Sequence, residues 1–211
     1  WEKSRFMGVE LFNKTLGVIG AGNIGGIVCN RAVGLHMKVV AYDPFIGAET
    51  AARMGARLLE LDALWGVADV VSLHVPLTPA THHMIDGSAL ARMRPGIMII
   101  NTGRGALIDS RALITALKTG HVSAAGLDVY EEEEGVFFRD LSDKVLQDDV
   151  LARLLTFPNV LVTSHQAFLT NEALANISKR VPFTACALSK DLSHKGDQLH
   201  FNSEAERELG K

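Results

Sequence analysis

Thr15-Leu-Gly-Val-Ile-Gly20-Ala-Gly22-Asn-Ile-Gly25 is the stretch whose reading decides the fold. A short apolar run enters a glycine-rich turn and then a helical pattern, with Gly20, Gly22 and Gly25 in the G-x-G-x-x-G spacing of a dinucleotide fingerprint. Gly20 is expected to make the tight turn, Gly22 to let backbone approach a pyrophosphate, and Gly25 to let helix pack on strand. The helix N-terminus adds free N–H groups and a partial positive charge. A lone glycine fingerprint is weak, and the same pattern fits an ordinary strand–helix–strand unit. Context strengthens it. A second apolar strand, Met37–Tyr42, ends in Asp43, 18 residues past Gly25. A carboxylate there hydrogen-bonds the ribose hydroxyls of NAD and repels the 2′-phosphate of NADP.

Working outward, apolar runs and helical patterns alternate along the chain. Strands are predicted at Thr15–Ile19, Met37–Tyr42, Ala56–Leu58, Asp69–His74, Ile97–Asn101, Ala124–Asp128 and Val160–Thr163. Helices are predicted at Asn23–Leu35, Ala48–Met54, Leu61–Gly66, Ser88–Met93 and Ser110–Thr119, with a possible helix end at Trp1–Phe6. This alternation predicts an α/β fold, a Rossmann-type doubly wound parallel sheet. Asp43, His74, Asn101-Thr102 and Asp128 all fall at carboxyl ends of predicted strands, where open α/β sheets bind ligands.

Composition narrows the class. With 211 residues, 47% of them hydrophobic, the chain can bury one large core. A net charge of −3 offers no basic footprint for nucleic acid. The apolar runs are strand-length, too short for a membrane span. Two cysteines, Cys29 and Cys186, make no disulfide scaffold, and Cys29 falls on the apolar side of the first helix. That predicts a reducing compartment, the cytoplasm. The chain starts at Trp1 and enters the dinucleotide unit within about twenty residues, so an excised domain is expected.

Three stretches carry candidate chemistry. Arg104, in the glycine-flanked loop Asn101-Thr-Gly-Arg-Gly105, suits a carboxylate held by two parallel hydrogen bonds; the plainer reading is a solvated arginine. His165, after the last strand, can exchange a proton with a ketone or alcohol oxygen. A structural histidine is the commoner fate, and seven others (His36, His74, His82, His83, His121, His194, His200) lack comparable context. Asp128 and the run Glu131–Glu134 could pair with His165 or simply be solvated. Asp128, still at a strand end, is the better placed to touch a nicotinamide. No metal is implied, because the reactive His, Asp and Glu residues lack ligand spacing.

Taken with Arg104, the acidic run and His165, the chain resembles the D-2-hydroxyacid dehydrogenases over about Trp1 to Ser178. GLDVYEEEEGVFFRDLSDKVLQDDVLARLL (126–155) and SHQAFLTNEAL (164–174) resemble the D-lactate dehydrogenase branch. WEKSRFMGVEL (1–11) and GVIGAGNIGGIV (17–28) look more like the D-3-phosphoglycerate dehydrogenase branch. The resemblance implies Arg104 on the substrate carboxylate, Glu133 supporting the histidine, and His165 as proton donor. It implies cofactor contacts at Asn23 and Ile24 in the pyrophosphate turn, at Asp43, at Val75 and Pro76, and at Thr81, Thr102, Gly103 and Asp128. NAD, a small 2-oxo or 2-hydroxy acid substrate and a homodimer follow from it. So does a substrate domain that is largely absent from this chain. Residues 1–180 are then the NAD-binding domain, and 181–211, with Pro182 and a polar stretch, a poorly ordered tail. D-Lactate and pyruvate are the expected pair. The alternatives are a phosphoglycerate or other 2-hydroxyacid dehydrogenase, a non-catalytic NAD(H)-sensing interaction protein like the related corepressors, and a fragment that binds NAD only.

Overall fold

A computed structural model of the chain describes residues 8–132 and 148–180. Seven strands, β1 (Thr15–Ile19), β2 (Lys38–Tyr42), β3 (Arg57–Leu58), β4 (Val70–Leu73), β5 (Ile97–Asn101), β6 (Val122–Leu127) and β7 (Val160–Val162), form one sheet in the order β3-β2-β1-β4-β5-β6-β7. Every pairing is parallel. The chain runs outward from β1 to β3, returns, and runs outward again from β4 to β7. The direction reverses between β1 and β4, the topological switch point where such sheets bind ligands. The doubly wound α/β expectation holds.

Period-two burial explains how the sheet is clothed. On β1, Leu16 and Val18 pack with Cys29 and Ala32 of α1 (Asn23–Gly34), while Ile19 joins a larger cluster on the other face. That cluster takes Leu64 and Trp65 of α3 (Leu61–Val67) and Leu90 of α4 (Gly87–Arg92). Leu113 and Leu117 of α5 (Ser110–Lys118) and Leu151 and Leu154 of α6 (Asp149–Leu155) complete it. The short α2 (Ala48–Arg53) leads into β3. Cys29 is buried as expected, and burial pushes its thiol up to about 11, which keeps it unreactive at neutral pH.

Three local differences from the predicted elements have clear causes. β6 starts at Val122 rather than Ala124, because Val122 pairs with Ile97 ahead of a register shift between Ile97 and Met98. The Ser123 hydroxyl donates to the Gly96 carbonyl there at 2.7 Å. α6 was not predicted; Asp148 caps it, its carboxylate accepting from the Val150 and Leu151 amides at 2.9 Å each. A single 3₁₀ turn, Gly105–Leu107, follows the arginine loop.

The described residues fall into two units divided between Ala167 and Phe168. The second holds α7 (Asn171–Arg180), begun by Thr170, whose hydroxyl accepts from the Ala173 amide at 3.1 Å. The predicted helix end at Trp1–Phe6 and the tail 181–211 lie outside the described residues. Among those described, no helix is long and apolar enough to cross a membrane.

Candidate functional site

The register of the sheet brings the polar strand ends into one row. The His74 amide donates to the Ile19 carbonyl, Asp128 to Asn101, and Thr163 to Leu127, so each strand's exit lies beside the next. The left part of this row is the glycine turn. Gly20 has φ +85°, and a Cβ there would press on the His74 carbonyl and on Val75. A Cβ on Gly25 would overlap the Gly20 carbonyl oxygen, so helix and strand approach as the fingerprint demands. Gly22, by contrast, faces open space.

These residues fit a dinucleotide. Gly22 is the N-cap of α1; it supplies no side-chain cap and the first turn carries no acidic residue, leaving its N–H groups for an anion. A cavity of about 510 Å³ opens beside it, lined among others by Gly22, Asn23, Ile27, Arg31, Ile46 and Met54. Asp43 is locked in place: its carboxylate accepts from the Ala21 amide at 2.9 Å and the Phe45 amide at 2.8 Å. Each oxygen keeps a further lone pair for a hydroxyl donor. Asn23 and Ile24 are exposed on the first turn of α1. Val75 packs over Gly20 and Pro76 is exposed.

Thr81 has a different local duty. Its hydroxyl donates to the Pro76 carbonyl at 2.6 Å and accepts from the Thr78 amide at 2.8 Å, closing the loop after β4 on itself. His74 matches the structural role expected of it. Ser72 Oγ and His74 Nε2 lie 2.8 Å apart, and burial holds the imidazole below its usual pKa, so it is neutral.

The right part of the row carries Arg104 and His165. Asn101 is buried and shapes the arginine loop. Its Nδ2 donates to the Arg104 carbonyl at 2.9 Å, and its Oδ1 accepts from the Gly103 amide at 3.0 Å. This Asx arrangement sets Thr102 and Arg104 on the surface, where the guanidinium reaches back to the Gly103 carbonyl at 2.8 Å. From sequence Asn101 is only a polar strand end; an asparagine followed by Thr-Gly was the available signal for its turn.

His165 is held by its backbone. Ser164 and His165 both take left-handed conformations, φ +52° and +58°, unusual for two successive non-glycine residues. Each costs about 1–3 kcal/mol unless its surroundings enforce it. Asp128 does the enforcing. Its carbonyl accepts from the His165 amide, and its carboxylate accepts from the Thr163 hydroxyl, the Gln166 amide at 2.7 Å and the Ala167 amide at 2.8 Å. From sequence Asp128 is given to the nicotinamide; in the structure its side chain, in a residue 4% exposed, faces this turn. Thr163, which the sequence did not single out, is part of the same clasp. Glu133 lies outside the described residues.

Burial alone would raise the Asp128 pKa. The donors from Thr163, Ala167 and Gln166 and the nearby His165 outweigh it, and the carboxyl is held below its ordinary range. A depressed carboxylate contributes stability above its unfolded pKa, about 3.9, and loses it as pH falls through the folded value. Asp128→Asn is therefore expected to destabilise the fold by about 2 kcal/mol at neutral pH. The gap to the parent should close below about pH 4. Urea unfolding across that range checks this; a gap that does not vary with pH would refute it.

The comparisons with known proteins agree with this geometry. Residues 1–167 match the family model described as D-isomer specific 2-hydroxyacid dehydrogenase, NAD binding domain. A D-lactate dehydrogenase of Escherichia coli strain K12 is 47% identical over 172 residues, 82% of this chain and 52% of that protein. An aromatic 2-oxoacid reductase of Clostridium sporogenes is 46% identical over 172 residues, covering 81% of this chain and 51% of that one. Among solved structures, D-lactate dehydrogenase from Aquifex aeolicus, complexed with NAD and lactic acid, superposes with a TM-score of 0.77 at 34% identity. That match covers 96% of this chain and 62% of the other. The chain spans about half the length of the curated relatives it matches. A fingerprint turn at the switch point and a family model matching residues 1–167 lead to one conclusion: the chain belongs to the D-isomer specific 2-hydroxyacid dehydrogenases, whose NAD binding domain it contains.

Proposed function

We propose that this protein interconverts a D-2-hydroxy acid and its 2-oxo acid with NAD(H), and that D-lactate and pyruvate are the pair. The observation that carries the reading is the row of strand exits: an uncapped helix N-terminus and Asp43 at one end, and the Asn101-braced Arg104 loop and the Asp128-braced His165 turn at the other. NADH, when bound, supplies a hydride to the carbonyl carbon. Arg104 holds the substrate carboxylate through two guanidinium N–H groups, which fixes the carbonyl and draws charge from it. His165 gives its proton to the carbonyl oxygen and takes it back in the oxidation. Glu133 is assigned, on the family resemblance, the part of the carboxylate that keeps the imidazole charged and oriented. Thr102, Gly103, Thr81, Val75 and Pro76 line the cofactor's path along the strand exits. A homodimer and a cytoplasmic location complete the reading; buried, reduced Cys29 agrees with the latter.

The aromatic 2-oxoacid reductase supports a second reading, a bulkier substrate, because its identity to this chain nearly equals that of the D-lactate dehydrogenase. NADH oxidation with pyruvate, phenylpyruvate, hydroxypyruvate, phosphohydroxypyruvate and glyoxylate separates the cases. Highest kcat/KM on pyruvate is expected. Preference for phenylpyruvate or phosphohydroxypyruvate would replace the substrate and keep the chemistry. NADH binding without turnover on any of them would favour a fragment that binds NAD only, and saturable, NADH-dependent binding of a protein partner would favour the interaction protein instead.

A further inference from the structure

His82 and His83 are neighbours on the loop after β4, and Glu131 stands 48 residues after His83 on the loop after β6. Spacing alone hides the relation; the sheet creates it. Ligand-capable atoms of all three lie within 4.8 Å of one another. We propose that they form a site for a borderline divalent transition ion of the Zn²⁺ class, with two imidazoles, one carboxylate and a remaining position for water.

The backbone prepares this arrangement. His83 has φ +49°, a left-handed value that a β-carbon disfavours. It turns the rings of two consecutive residues, which extended backbone would send to opposite sides, into a stack with centroids 3.9 Å apart and planes at 28°. The loop is tied down on both sides: the His82 amide donates to the Thr78 carbonyl at 2.9 Å and the His83 amide to the Ala106 carbonyl at 2.8 Å. The carboxylate side is fixed too. The backbone of Tyr130 and Glu131 lies so close to Gly105 that no Cβ would fit between them, and Glu131 Oε2 accepts from the Ser110 amide at 3.4 Å. His83 Nε2 already meets Glu131 Oε1 at hydrogen-bond distance.

A histidine–glutamate clasp alone accounts for His83 and Glu131. It does not account for a strained φ that stacks exposed His82 against the same ring. Around Zn²⁺, with bonds of about 2.1 Å, tetrahedral ligand atoms stand about 3.4 Å apart. Binding requires the stacked rings to rotate until their nitrogens converge at that spacing, with the ion taking the place of the proton between His83 and Glu131. Two imidazoles with a carboxylate select Zn²⁺, Co²⁺, Ni²⁺ or Cu²⁺ over Mg²⁺ and Ca²⁺, which prefer oxygen ligands throughout. A bound ion would join the loops that leave β4 and β6.

The test uses the tag-free 211-residue chain with Zn²⁺ by calorimetry and Co²⁺ by visible absorption. One saturable equivalent, a tetrahedral Co²⁺ spectrum and a raised Tm are expected. H82A removes an exposed ring and leaves the His83–Glu131 pair intact, so it tests the site without endangering the fold. It should weaken Zn²⁺ by at least about tenfold, since even outer-shell losses cost that much. E131Q should do the same, and Mg²⁺ should not compete. No saturable Zn²⁺ binding, or equal affinity in H82A, would overturn the site. Either result is independent of substrate turnover.

Discussion

His165→Gln is expected to lower the proposed dehydrogenase turnover by about 10²–10⁴-fold, the usual worth of a positioned general acid, while NADH binds as before. The separation follows from the fold. His165 lies beyond β7 at one edge of the sheet, whereas Asp43 and the α1 N-terminus lie beyond β2 and β1 on the other side of the switch point. Glutamine keeps a donor of similar reach but cannot carry the proton through an acid–base cycle. The Asp128 clasp should survive, because it bonds the backbone of residues 165–167 and the Thr163 hydroxyl rather than the imidazole. Stopped-flow hydride transfer and a fluorescence titration of NADH, made on the same protein, measure both halves. Turnover within twofold of the parent would remove His165 from the chemistry; loss of NADH affinity instead would make it a cofactor residue.

Gly25→Ala should damage fold and cofactor site together. A methyl there would overlap the Gly20 carbonyl oxygen, so α1 has to move off β1, and the turn that presents its N–H groups moves with it. Overpacking of this kind costs about 1–3 kcal/mol, and a clash with backbone belongs at the upper end. Gly22→Ala is the paired control. Gly22 has φ −70°, and a Cβ there meets no atom within 4 Å, so unfolding free energy should change little. NADH affinity should nevertheless fall more than about tenfold, or roughly 1.4 kcal/mol, because the methyl stands where the pyrophosphate must approach. Denaturant unfolding and NADH titration of the two variants separate packing from recognition. If Gly25→Ala folds with unchanged stability, the close approach read from the structure is not needed. If Gly22→Ala binds NADH normally, the pyrophosphate lies elsewhere.

Much of the fold is legible before any coordinate. The apolar runs at 15–19 and 70–73 are buried on both faces and 97–101 is fully buried on one and half-buried on the other, as central parallel strands are. The proposed cofactor half of the site is equally local. Its parts, Gly20, Gly22, Gly25 and Asp43, sit within 24 residues; the glycines act through backbone conformation, which residue type reports directly, and Asp43 through its carboxylate. Helix α6 was missed because its signal, Asp148 at the N-cap, is short and follows a long polar insertion.

Sequence by itself thus determined the sheet, its winding, the glycine turn and which residues are chemically able to carry a proton or hold a carboxylate. Tertiary structure decided what those residues lean on. That Asp128 clasps the His165 turn and that His83 meets Glu131 are consequences of strand register, whereas the Asn101 brace on Arg104 is a local turn between residues three apart. Register joins residues 38 or 48 apart along the chain, such as Asp128 with Gln166 and His83 with Glu131. A periodic pattern specifies which face a residue takes within its own strand. Only packing of the sheet specifies which neighbour's exit it will lie beside.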